Sequence, residues 1–265
     1  MENREVRFTA NDNSEIRAHL ALPGSRTAGA GVIVIQEIFG LTDFIRGVAD
    51  RLAEQGYIAL APHLYSRKEQ DSLFTQKNIM SAMMPMFSIP PEKRRDPAVM
   101  QEIIATAGET EKKILTDLII NRQSIEETMV HDLESTFEYL RTTHAPQKMG
   151  VIGFCMGGGL TFQVSTKKHF DASAVFYGAN PRPLEGVANI KGAVLGIYAG
   201  EDGPINQGLP DLMKAIIEYK TNFEMKMYPG THHAFFNHTG PAYNEAAAKD
   251  AWERTLRFFK HYLGD

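Results

Sequence analysis

The stretch KMGVIGFCMGGG, residues 148–159, constrains the fold of this chain more than any other. KMGVIGF runs without polar alternation, which fits a strand covered on both faces. The glycines that follow allow a sharp turn into a helix, because they accept close backbone contacts. A strand buried on both sides needs helices above and below it, so the stretch already implies a layered α/β architecture.

The rest of the chain repeats that pattern. Residues 4–8 and 16–22 alternate in polarity around NDNS and read as an antiparallel hairpin. GVIVI (31–35), YIALA (57–61), ASAVFY (172–177) and GAVLGIYAG (192–200) are buried-strand runs, and FEMKMY (223–228) is a further strand. Helices are expected from Thr42 to Gly56, with Phe44, Ile45, Val48 and Leu52 inward. Others are expected over 122–144, from Gly157, over 209–220 and over 243–263. Strands alternating with helices imply a mostly parallel central sheet with helices on both faces, in one domain spanning 1–265.

Residues 66–121 break the rhythm. They hold five of the twelve methionines (Met80, Met83, Met84, Met86 and Met100) and the break IPPEKRRDP, a pattern that fits two inserted helical pieces. Such an insertion is either a lid over a pocket, since methionine adapts to varied ligands, or a packed helical decoration.

A formal net charge of −4 over 265 residues gives no basic surface for nucleic acid or an anionic membrane. No apolar run approaches a membrane span. The start, MENREVRF, has no apolar core of a secretory signal, so a cytoplasmic protein is expected. One cysteine permits neither an intrachain disulfide nor a multi-cysteine metal site. There is no GxGxxG and no P-loop lysine, and the reading calls for no metal or cofactor.

That single cysteine, Cys155, stands at the centre of G-F-C-M-G. This is the form of the nucleophile elbow of the α/β-hydrolase fold, with cysteine in the usual serine place. The residues two before and two after, Gly153 and Gly157, must be small because the turn presses them against neighbouring backbone. A helix N-terminus also favours a thiolate. The competing reading is a small buried cysteine in a tight turn.

A nucleophile needs a base and an orienting acid, which in this fold follow it in that chain order: acid, then histidine. Asp202 follows VLGIYAG at the carboxyl end of a strand, where sites in open α/β sheets gather. Asp171 starts a strand, Asp211 lies within a helix, and Glu201 reads as a solvated loop charge. YPGTHHAFFN carries His232 and His233, and spacing alone does not choose between them. Glu37 ends the strand GVIVI, where a carboxylate is costly unless partnered. The backbone N–H groups of Ile38 and Met156 occupy the positions of an oxyanion hole.

Together QEIFGL, APHLYSR, GFCMGGG, YAGEDGPIN and YPGTHHAFFN resemble the dienelactone hydrolases (carboxymethylenebutenolidases), over about 28–67 and 128–264. The resemblance implies an α/β-hydrolase fold with a Cys–His–Asp triad: Cys155, His233 and Asp202. His233 is chosen over His232 because the family's histidine precedes a small residue and a phenylalanine, here Ala234 and Phe235. Glu37 matches a family glutamate that contacts the thiol and helps form the thiolate when substrate arrives. The implied activity is hydrolysis of a small-molecule ester or lactone through an acyl-thioester. Rival readings are a broad short-chain carboxylesterase with the same triad and a non-catalytic binding protein of this fold. The chain departs from the family at two substrate-holding arginines. One position, four residues after the histidine, is Asn237. The other falls in the segment replaced by 66–121, where Arg94 and Arg95 are the nearby arginines.

Overall fold

The computed structural model describes residues 1–24, 29–90, 93 and 96–264. Arg94 and Arg95 lie outside the described residues. The hairpin forms as β1 (Glu2–Thr9) and β2 (Glu15–Leu22), in antiparallel register from Glu2 opposite Leu22 to Thr9 opposite Glu15. β2 then pairs antiparallel with β4 (Ile58–Pro62). From there the sheet is parallel through β3 (Ala30–Ile35), β5 (Lys148–Phe154), β6 (Ala172–Phe176), β7 (Ala193–Ala199) and β8 (Phe223–Tyr228). The eight strands lie in the order β1-β2-β4-β3-β5-β6-β7-β8.

The central strands are mostly apolar because both faces are covered. Along β3, Ile33 and Ile35 join the core under α6 (Arg122–His144) and α7 (Met156–Ser165). Val32 and Val34 point the other way, to α1 (Asp43–Glu54) and α10 (Glu245–Leu263). α9 (Leu209–Tyr219) packs Leu209, Leu212 and Ile216 on Val175, Val194 and Phe162. Thr42 holds the N-cap place of α1, but its side chain makes no capping bond.

The insertion is more divided than two pieces. It contains a single turn, α2 (Lys68–Asp71), then α3 (Gln76–Phe87), α4 (Pro97–Thr106) and α5 (Glu109–Leu115). Thr75 and Asp96 accept from the N–H groups of Asn78 and Ala98 and start α3 and α4. A π-helical turn, Thr116–Ile120, leads from α5 to α6, so the long helix expected from 122 has a forerunner inside the insertion. Phe74, Ile79, Ala82 and Ile103 are buried in the core that holds α6. Met83 and Met100 are buried too, whereas Met80 and Met84 are exposed.

Register decides what meets at the sheet's carboxyl edge. Ile35 lies opposite Gly153, Phe154 opposite Phe176, Phe176 opposite Ile197, and Ala199 opposite Tyr228. The loops leaving β3, β5, β7 and β8 therefore emerge at one edge of the sheet, with β6 between the two pairs. They carry Glu37, Cys155, Asp202 and His233.

Candidate active site

Cys155 joins β5 to α7 with φ +56°, a conformation that side chains rarely adopt. The glycines around it explain how the turn closes. A Cβ on Gly153 would stand 2.1 Å from the Gly157 carbonyl oxygen. One on Gly157 would stand 2.5 Å from the carbonyl oxygen of Gln36. The Cys155 N–H donates to the Phe176 carbonyl at 3.0 Å and ties the turn to β6. The elbow is thus pressed against the end of β3, beside Glu37 and Ile38.

Asp202, three residues past β7, is buried, and its Oδ2 accepts from His233 Nδ1 at 2.5 Å. A carboxylate on Nδ1 fixes the tautomer in which Nε2 is free to accept a proton. The two loops are also pinned through the backbone, since Glu201 N–H donates to the Thr231 carbonyl at 2.9 Å. Cys155 and His233 line the same cavity. Burial alone would lower the His233 pKa; the Cys155 charge and the Asp202 hydrogen bond outweigh it and hold the imidazole well above its ordinary value. His232 is exposed. Asp171 sits at the far edge of the sheet, accepting from the Met149 N–H at 2.8 Å. Asp211 is in the first turn of α9, and Glu201 is exposed.

Glu37 is 3% exposed. Its Oε2 accepts from Asn237 Nδ2 at 2.7 Å, while Oε1 is buried with no hydrogen-bond partner. Burial raises its pKa to about 7, against smaller lowering effects from the Asn237 bond and the His233 charge.

Ile38 and Met156 both line the cavity that Cys155 and His233 face. Met156 opens α7, where a helix leaves N–H groups without intrahelical partners. Tyr65, in APHLYSR, is fully buried and donates to the Ile38 carbonyl at 3.0 Å. Its ring stacks on Phe74 of the insertion, with centroids 4.7 Å apart. Gln36 accepts from the Leu64 N–H at 3.0 Å and anchors the same loop pair. Sequence reasoning quoted both motifs without assigning these two side chains. Buried polar groups inside a quoted motif are the signal that would have found them.

The cavity is about 170 Å³ and mostly apolar. Leu118, from the π-helical turn, and Ile125, from α6, form part of its wall. Arg122 and Glu126, paired at 2.6 Å, supply its charged side. Tyr177, just past β6 with φ +39°, also lines it; its hydroxyl is buried without a partner. Burial and the charges of Glu37, Cys155 and Asp202 keep that phenol protonated.

The profile of the dienelactone hydrolase family matches residues 16–263. The chain is 49% identical over 253 residues to a "Putative carboxymethylenebutenolidase" of Saccharolobus solfataricus, covering 96% of each protein. It is 30% identical to a protein of the same name from Synechocystis sp., covering 96% of this chain and 94% of that one. In fold it is similar to a crystal structure described as a putative dienelactone hydrolase from Klebsiella pneumoniae, with TM-score 0.70 and 23% identity, covering 99% of this chain and 100% of that one.

Proposed function

The chain belongs to the dienelactone hydrolase family, and we propose that it cleaves an ester or lactone bond with Cys155 as nucleophile, His233 as base and Asp202 as the group that orients the base. The observation that carries this reading is the convergence of three loops: the Cys155 elbow faces His233, whose other ring nitrogen is held by buried Asp202.

The steps follow from that order. The thiol proton passes to His233 Nε2, and the sulfur attacks the carbonyl carbon. The carbonyl electrons move onto oxygen, which accepts from the N–H groups of Ile38 and Met156. Collapse breaks the carbon–oxygen bond to the leaving group, which takes the proton from His233. An acyl-thioester remains. His233 then draws a proton from water, and the hydroxide attacks the thioester. The second tetrahedral adduct expels the sulfur and releases the carboxylic acid.

A thiolate is itself a good leaving group, so the first adduct can fall back to substrate. An enol ester or enol lactone avoids this by expelling a delocalised enolate. Activated esters and lactones are therefore the favoured class. The small apolar cavity also fits simple short-chain esters, which keeps broad carboxylesterase activity as the second reading. The insertion walls the same cavity through Leu118 and supports the Ile38 loop through Phe74 and Tyr65. It serves as a lid that restricts water and substrate size.

The test is a panel of enol lactones and alkyl esters of matched size. Enol lactones should be turned over at least tenfold more efficiently. Equal efficiency would favour the general esterase, and tight binding without any turnover would favour a binding protein.

A further inference from the structure

The sheet ends on β8, whose outer side pairs with no strand among the described residues. Near the two ends of this strand, the Val194 N–H donates to the Asn222 carbonyl at 2.9 Å and the Gly200 N–H to the Tyr228 carbonyl at 2.8 Å. The even-numbered residues therefore turn their backbone groups toward β7. Alternate residues of a strand turn theirs the opposite way, so Phe223, Met225 and Met227 direct N–H and C=O to the open edge. Such an edge is a template for another strand. Met225, in the middle, is 44% exposed. Its neighbours Glu224 and Lys226 take no part in the ion pairs of the described residues. The opposite edge of the sheet differs. On β1, Arg4 is matched to Glu2 at 2.9 Å and Arg7 to Glu15 at 2.7 Å within the chain.

We propose that β8 is a contact between two copies of this chain, joined antiparallel across a two-fold axis at Met225, so that the sheet continues from one protomer into the other. A two-fold axis makes one patch meet itself, so the patch must be self-complementary. With Met225 opposite the partner's Met225, Phe223 lies opposite the partner's Met227, and all the outward residues exchange backbone hydrogen bonds. Between them, Glu224 lies opposite the partner's Lys226 in a non-hydrogen-bonded pair, where side chains stand closer. The symmetry repeats this pair, so both charges of each edge are matched. A slip of two residues destroys the match. One direction sets Glu224 against the partner's Glu224, the other sets Lys226 against the partner's Lys226, and like charges directly opposite are destabilising. Phe223 and Met227 pack on the cluster of α9, so Met225 shares the face that this helix covers. Residues 220–222 separate α9 from β8, which puts the exposed Ile217 and Tyr219 near the Phe223 end as further apolar surface. The cavity holding Cys155 has no lining residue from β8, so this inference stands apart from the proposed reaction.

Sedimentation equilibrium of the intact protein at micromolar concentration tests this. The wild type should have twice the mass of the chain. Glu224→Lys sets like charges against each other at both symmetric positions and should raise the dimer Kd about tenfold or more. Lys226→Glu should do the same. Glu224→Lys combined with Lys226→Glu restores opposite charges and should return Kd to within about threefold of wild type, because the two sites couple only through this pair. Mixing the two single variants should yield a dimer with one chain of each, which misfolded chains could not form. Met225→Pro removes an outward N–H, leaves the ladder to β7 intact, and should also give monomer. A monomeric wild type, a dimer unmoved by the single reversals, or a double variant as weak as the singles would overturn the inference.

Discussion

Gly157 leaves no room for a side chain at Gly153: a Cβ on Gly153 would sit 2.1 Å from the Gly157 carbonyl oxygen. Gly157 is enclosed by backbone on its other side too, with the Ile35 carbonyl oxygen 2.6 Å from where its Cβ would be. Backbone cannot rotate away as a flexible side chain can. Gly157→Ala should therefore push α7 off β3 at a cost of about 1–3 kcal/mol. Because the elbow moves with it, ester turnover should fall about a hundredfold or more. Urea unfolding beside ester kinetics measures both. An alanine variant with wild-type stability and rate would contradict the packing account.

The Tyr65 hydroxyl donates to the Ile38 carbonyl at 3.0 Å and also reaches Met156 Sδ at 3.9 Å. Tyr65→Phe keeps the stack on Phe74 and removes the hydroxyl. The expected cost is about 1 kcal/mol of stability. If that bond aims the Ile38 N–H at the reacting oxygen, kcat should drop several-fold with KM little changed. A change confined to KM would place Tyr65 in substrate binding instead.

Much of this was legible in the sequence, for reasons that differ by element. Buried strands such as GVIVI and KMGVIGF announce themselves because a doubly covered strand has no polar alternation. Cys155, Asp202 and the pair His232–His233 stand out as candidates because the fold orders such groups along the chain and each follows a recognisable strand; the choice of His233 rests on the family resemblance. The Glu37–Asn237 bond was not legible: its partners are 200 positions apart and meet only through strand register. The insertion was under-divided for a local reason. Gly108 separates α4 from α5, the π-helical turn at Thr116–Ile120 joins α5 to α6, and methionine-rich helices give a weak periodic signal.

His233 and His232 are neighbours with opposite surroundings. His233 Nδ1 is bonded to Asp202, while the His232 side is open to solvent. His233→Ala should cut kcat/KM by about three orders of magnitude or more. His232→Ala should stay within a few-fold of wild type. Reversal of that ranking in steady-state kinetics would shift the base by one residue.

Glu37 links stability to pH. Its ordinary value is 4.5, and burial raises it to about 7 in the folded protein. A carboxyl group with a raised pKa is no burden while protonated, below about pH 4.5. The burden grows as pH rises and is complete above about pH 7, where it is on the order of 3 kcal/mol. Glu37→Gln removes the charge, so this variant should be more stable than the wild type at pH 8 and equal to it near pH 4. Chemical denaturation at both pH values checks it. A stability difference independent of pH would mean that Glu37 does not titrate there.

The central claim is that the sulfur of Cys155 carries the acyl group. Rapid quenching during turnover of an activated aryl ester, followed by peptide mass spectrometry, tests it directly. One acyl group should be found on the peptide carrying Cys155, should accumulate further in His233→Ala if that variant still acylates, and should be absent from Cys155→Ala, which should no longer hydrolyse the ester. Undiminished hydrolysis by Cys155→Ala, or an acyl group on another residue, would contradict it.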